Sequence, residues 1–186
     1  PFEKIMNKHY MPAFLEGMKQ QKKEILSITS SKDVPDFNNT ILQLDQSGEL
    51  LRKVGLVFYS LNSANTCDSM QDIAKQISPL TTQHSDDIFL NATLFKRVKV
   101  VYSNRQNMKL DDIQIRLVEE TYKDFVRSGA NLDTISQRKL RKLNKEINML
   151  QIQFGQNLLA ENNRYKLIID KKEYLAGLPD NLIETA

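Results

Sequence analysis

Residues that stop helices or form cross-links are scarce in this sequence. Its 186 residues include one cysteine, Cys67, no tryptophan, six glycines and five prolines. A single cysteine excludes an internal disulfide and a cysteine-based zinc site. The longest apolar stretch, residues 56–59, is far shorter than a membrane span, so a transmembrane segment is excluded. No basic-then-apolar signal segment opens the chain, which starts at Pro1, and we expect its natural beginning to lie upstream.

The sequence also lacks a large excess of charge of either sign. The chain has 26 Lys and Arg against 23 Asp and Glu, which leaves a formal net charge of +3. Such a small excess does not argue for nucleic-acid binding. With 40% apolar and 26% charged residues, the composition is that of an ordinary soluble domain.

The distribution of glycine and proline indicates the fold class. Between Pro79 and Pro179 there is no other proline, and glycine occurs only at Gly129, Gly155 and Gly177. An all-β protein needs turn residues far more often. We therefore predict an all-α fold of long antiparallel helices that forms one domain over residues 1–186.

Apolar spacing and capping residues divide the chain into helices. Predicted helices run from Lys8 to Thr29 with Asn7 as cap, from Asn38 or Asn39 to Ser47, from Leu50 to Leu61, from Ser69 to Leu90, from Asn91 (as cap) to Arg105, from Asp111 or Asp112 to Gly129, and from Thr134 to Asn163. Breaks are predicted at 30–36 and 60–68, and a last short helix after Pro179. Residues 165–170 are the only segment with strand character, so we expect at most one short strand.

The last long helix has the most regular apolar pattern. Leu140, Leu143, Ile147, Leu150 and Phe154 follow spacings of three and four, as in a coiled-coil seam. We predict that Leu143, Ile147, Leu150 and Phe154 of this seam are buried against the helices that carry Phe125 and Leu94. Further inward residues are predicted at Leu80 and Ile113, and the glycine inside the third helix, Gly55, is expected to allow a close approach or to cost stability.

The sequence contains no recognisable active-site motif. Its only histidines, His9 and His84, lack the His-Glu-x-x-His spacing of zinc hydrolases, and His84 with Asp87 is expected to be a solvent-facing pair. Cys67 has no histidine nearby in the sequence, and we expect it to be at least half-buried at a helix start. Gly-x-Ser-x-Gly and phosphate-binding glycine motifs are missing. We therefore predict no catalytic, metal or cofactor residues in this chain.

Five bases lie within eight residues, from Arg138 to Lys145. They could form a phosphate-binding face, but stacking aromatics are missing from that side of the helix. We favour a solvated helix face and predict no nucleic-acid partner.

The order of short motifs resembles the N-terminal region of the thimet oligopeptidase family of zinc metallopeptidases, and within it the bacterial peptidyl-dipeptidases (dipeptidyl carboxypeptidases) and oligopeptidase A. The matching segments, in chain order, are residues 1–5, 9–14, 37–41, 47–51, 63–66, 94–98, 122–130, 154–159 and 175–179. Each motif is weak by itself, but the ordered set covers essentially the whole chain.

The resemblance implies a multi-helix N-terminal subdomain with the fold of that family. In the family, the zinc-binding helix lies downstream of the matching region, so the chain is expected to be a fragment without zinc ligands or a catalytic base. By resemblance it forms one helical wall of a channel that admits only short peptides, with the downstream catalytic domain as its partner and zinc as that domain's cofactor. We expect a cytoplasmic parent, or a periplasmic one if a signal peptide preceded Pro1. The alternative is a stand-alone helical interaction module without catalytic activity.

Overall fold

The computed structural model describes residues 2–185, apart from the side chains of Phe2, Lys172 and Thr185. The helices are α1 (Tyr10–Ser30), α2 (Gln43–Gln46), α3 (Glu49–Ala64), α4 (Asp68–Phe89), α5 (Ala92–Asn104), α6 (Asp112–Arg127), α7 (Thr134–Arg164) and α8 (Asp180–Thr185). A π-helical turn, Phe37–Leu42, leads into α2, and 3-10 turns lie at Phe2–Lys4, Asn7–His9, Arg105–Asn107 and Lys172–Leu175. No strand occurs within residues 2–185, which confirms the all-α prediction.

The chain divides into two compact units, residues 1–150 and 151–186. Whether residues 1–186 form one domain therefore stays a prediction. In the first unit α1 packs against α3, α4 and α5, and α5 packs against α6. None of the helices in the described residues is long and apolar enough to cross a membrane.

Two hydrophobic clusters hold the first unit together. One joins the first half of α1 to α3 and α4, and the edge of the Phe14 ring meets Phe58 with centroids 5.6 Å apart. The other joins the second half of α1 to the π-helical turn, α5 and α6, where Phe95 and Phe125 stack at 5.9 Å. Since both clusters draw on α1, this helix is the common support of the unit.

The second unit, described by itself, has no core of its own. It contains the last part of α7, an irregular segment at 165–171, a 3-10 turn and α8. None of its described side chains is buried. The segment with strand character is irregular, because a lone extended segment needs a neighbouring strand to satisfy its backbone.

Three predicted helix ends coincide with those of the structure. The side chain of Asn91 accepts a hydrogen bond from the backbone N–H of Leu94 at 2.9 Å, and Asp111 accepts one from Gln114 at 2.8 Å. Gly129 follows α6 with φ of +92°, a conformation that favours glycine. These three helix ends are confirmed.

Other helix ends differ from the prediction. Asn7 does not cap α1; it lies in a 3-10 turn, and its side chain donates to Ser69 Oγ at 3.2 Å. Asp36 caps the π-helical turn by accepting from the backbone of Asn39 at 2.7 Å, so Asn38 has no such role. Helix α3 continues to Ala64, so the break predicted at 60–68 is only three residues long, from 65 to 67.

Some predicted core positions are also wrong. Ile113 is 82% exposed, because it lies in the first turn of α6 before that helix meets its neighbours, and Leu80 is exposed as well. The close approach expected at Gly55 occurs at Gly17 instead, where an added Cβ would lie 2.8 Å from Leu51 Cα.

Candidate functional site

Within the first unit, the first part of α7 contacts α4 through polar side chains. Arg141 Nη1 lies 2.9 Å from Asp87 Oδ1, and Asn144 Nδ2 donates to Asp86 Oδ1 at 2.8 Å. One turn further along α7, Asn148 accepts a hydrogen bond from Ser78 Oγ. The spacings of three and four place these α7 residues on one face of the helix. A polar stripe of α7 therefore faces α4.

The apolar stripe of α7 points away from that contact. Leu143, Ile147 and Leu150 are 53%, 51% and 57% exposed. At 100° per residue, they lie about a third of a turn from the polar stripe. Phe154, in the second unit, is 70% exposed. The predicted burial of these four side chains is wrong, because the contacts to α4 use a different face of the helix.

The basic cluster on α7 is partly neutralised. Arg141 pairs with Asp87, and Lys142 and Lys145 line a groove that Asp86 and Asp87 also line. Carboxylates beside these bases weaken their attraction for phosphate, and the absence of a nucleic-acid partner stays a prediction.

A second groove, of about 480 Å³, lies between α1 and α4. Its apolar lining comes from Leu15, Met18, Leu26 and Leu80, and Lys19, Lys22 and Lys23 also line it. Lys22 lies 3.8 Å from Asp87 and Lys19 lies 3.5 Å from Glu16. The groove therefore combines apolar surface with basic residues that are partly paired.

His84 lines this groove but is not solvent-facing, contrary to the prediction. It is only 4% exposed, and its Nε2 lies 2.8 Å from Gln21 Oε1. Because Gln21 uses its amide nitrogen to donate to Ser47 Oγ, its oxygen accepts from the imidazole N–H. Burial lowers the pKa of His84, nearby Lys22 lowers it further and Asp87 raises it. The imidazole is therefore neutral near pH 7.

The described residues do not fit the zinc implied by the resemblance. They include no grouping of three or more His, Cys, Asp or Glu that could hold a metal ion. His9 accepts a hydrogen bond from the backbone N–H of Met6 at 3.2 Å, a local turn contact.

The remaining reactive side chains have structural partners. Cys67 lies immediately before α4, as predicted, but is exposed rather than half-buried. The neighbouring carboxylates Glu119 and Glu120 point to different partners, with Glu119 2.9 Å from Arg105 and Glu120 2.9 Å from Lys123. They do not share a proton.

Sequence reasoning missed Arg97, a buried arginine on α5. Its guanidinium donates to the carbonyls of Ser31 and Asp33, both at 3.2 Å, and to Asn39 Oδ1 at 2.9 Å. It thereby ties the 31–36 loop to α5. A signal was available, because Arg97 lies three residues after the buried Leu94 and therefore on the inner face of α5.

Comparison with known proteins gives relatives for the whole chain. It is 43% identical to dipeptidyl carboxypeptidase from Escherichia coli K12, over 100% of this chain and 27% of the relative. Over its whole length the chain is therefore similar to one part of a dipeptidyl carboxypeptidase. It is 41% identical to the Salmonella typhimurium LT2 dipeptidyl carboxypeptidase over 95% of this chain, and 22% identical to Escherichia coli oligopeptidase A over 100% of it. No protein-family model matches.

These relatives confirm the predicted resemblance to the N-terminal region of dipeptidyl carboxypeptidases, with oligopeptidase A more distant. The chain spans about 27% of the length of the dipeptidyl carboxypeptidase and oligopeptidase A from Escherichia coli. Each of these relatives is named as a peptidase, and the chain matches a minor part of each.

Proposed function

We propose that residues 1–186 are the non-catalytic, N-terminal helical domain of a zinc-dependent peptidase of the dipeptidyl carboxypeptidase type. The observation that carries this proposal is the 43% identity over the whole chain to an enzyme nearly four times as long. The zinc and its ligands belong to the part of the parent protein beyond this chain, since the described residues offer no metal-binding group.

Within the parent, this domain acts as one wall of the channel that restricts cleavage to short peptides. Two features support a scaffolding role. The first unit is built on two clusters of packed aromatic and aliphatic side chains, and its polar clusters are used in structural contacts rather than gathered into a reactive site. The parent acts in the cytoplasm, since this chain, with its single cysteine, needs no disulfide. If a signal peptide is removed from the parent, it acts in the periplasm instead.

Peptide cleavage tests the catalytic part of the proposal. The parent should hydrolyse a quenched-fluorescent peptide, and a chelator should abolish this activity until zinc is restored. The isolated chain should be inactive with added zinc, because it lacks ligands that would activate a water molecule. Chelator-sensitive turnover by the pure chain would refute the assignment, and a full reading frame without a zinc motif would favour the interaction module.

Cross-linking tests the role of the channel wall. A short substrate-like peptide that carries a benzophenone group is bound to the parent and irradiated, and the cross-linked tryptic peptides are identified by mass spectrometry. Cross-links within residues 1–186 that unlabelled peptide competes away support the wall. If competition-sensitive cross-links fall only in the rest of the parent, this domain does not line the channel.

A further inference from the structure

The apolar face of α7 in the first unit has no partner among the described residues of that unit. This face consists of Leu143, Ile147 and Leu150, each more than half exposed. Exposed apolar side chains at regular helical spacing are typical of surfaces that bind another protein surface. A rotation of the helix that buried them would break the contacts of Arg141 and Asn144, which lie about a third of a turn away and hold α7 against Asp87 and Asp86.

We propose that this apolar face docks onto the remainder of the parent peptidase, the part that this chain does not include. The proposal rests on the proposed function. The relatives show how much protein is available for this contact, since a dipeptidyl carboxypeptidase that matches the whole chain extends far beyond the matched 27% of its length.

The small size of the face favours a partner in the same polypeptide over a second copy of the chain. Three partly exposed side chains fall well short of the about 800 Å² per partner that a stable interface between separate proteins buries. A covalently linked partner needs less area, because the linkage raises its effective concentration to the millimolar range.

The charges beside the face indicate the chemistry of the docking surface. Lys139 and Lys142 flank Leu143, and both are exposed. Glu146, one turn after Lys142 on the same side of α7, is exposed as well. The face therefore presents apolar side chains with a border of mixed charge. The matching surface of the parent is apolar at its centre and carries complementary charges of both signs at this edge, because opposite charges set the orientation of such contacts.

Cysteine labelling of the full-length parent and of the 186-residue chain tests the proposal. Leu150→Cys is introduced into both proteins, and the rate of maleimide modification at position 150 is followed by mass spectrometry of the tryptic peptide. Site-resolved detection separates this thiol from Cys67 and from any other cysteine. Arg138→Cys, on the same helix but outside the apolar face, is the matched control.

The expected result is that Leu150→Cys reacts at least about tenfold more slowly in the folded parent than in the chain, and that Arg138→Cys reacts at similar rates in both. Equal rates for Leu150→Cys would overturn the proposal. Slow labelling in the isolated chain together with a dimeric mass by light scattering would overturn it in favour of a second copy.

A second variant guards against misfolding of the parent. Ile147→Cys lies on the same face and should be protected from maleimide to the same extent as Leu150→Cys. The labelling rates are interpreted only for variants whose circular dichroism spectrum and melting temperature match those of the unmodified parent. Peptidase activity is measured on the same unmodified parent. An active, chelator-sensitive parent with an unprotected position 150 refutes the docking alone, whereas an inactive parent refutes the proposed function.

Discussion

Two helical glycines have different surroundings, and this difference gives a prediction at the scale of single residues. A Cβ at Gly17 would lie 2.8 Å from Leu51 Cα, whereas at Gly55 it would meet Phe14 and Tyr59 at 4.0 Å, an ordinary contact. Gly17→Ala should destabilise the chain by about 1–3 kcal/mol through overpacking. Gly55→Ala should stabilise it by about 0.5–1 kcal/mol, because alanine loses less backbone entropy in a helix.

Urea unfolding of the two variants and the unmodified chain checks this pair. The substitutions are chemically identical and both lie in helices, so helix propensity alone would move both midpoints in the same direction. Midpoints that rise together would show that α1 and α3 are not in close contact at Gly17.

His84 makes stability depend on pH. Burial, with Lys22, lowers its pKa below the ordinary value of 6.5, although Asp87 opposes this shift. The unfolded chain therefore takes up a proton at this site at a higher pH than the folded chain does. The stability due to neutral His84 is present above pH 6.5 and is lost as the pH falls below it.

Denaturant midpoints at about pH 7.5 and about pH 5.5 measure this effect, because most carboxylates stay ionised in that window. The unmodified chain should lose stability at the lower pH, and His84→Gln should lose less. Equal losses in the two proteins would assign the pH dependence to groups other than His84.

At the scale of the element, α7 should be insensitive to truncation of its apolar face in the isolated chain. Leu150→Ala should change the free energy of unfolding by less than about 0.5 kcal/mol, since Leu150 is mostly exposed. Phe58→Ala, which empties a fully buried site between α1 and α3, should cost about 3–5 kcal/mol. Thermal melts of both variants compare these losses directly, and a large loss for Leu150→Ala would show that the seam is buried after all.

At the scale of the whole molecule, the two units should differ in local stability. The first unit contains both hydrophobic clusters, and the second has no buried side chain among those described. Amide protection from hydrogen exchange follows burial and cooperative packing. In the isolated chain, amides of α5 should exchange many times more slowly than those of residues 165–183. Comparable protection in the two segments would contradict the difference in packing.

Features that depend on neighbours within one helical turn were predicted correctly from the sequence. Asn91, Asp111 and Gly129 end or begin helices because their side chain or backbone satisfies groups three or four residues away. The orientation of α7 was predicted wrongly for a related reason. Its polar and apolar stripes both recur at spacings of three and four, and local periodicity does not state which stripe meets the rest of the protein.

The sequence by itself therefore determined the all-α class, most helix boundaries and, through its ordered motifs, the resemblance to dipeptidyl carboxypeptidases. Only the tertiary structure decided that His84 and Arg97 are buried and that α7 faces α4 with Arg141 and Asn144. The physical reason is the range of the interactions. Helix formation and capping join residues a few positions apart, whereas burial is set by contacts between surfaces as distant in sequence as Ser78 and Asn148.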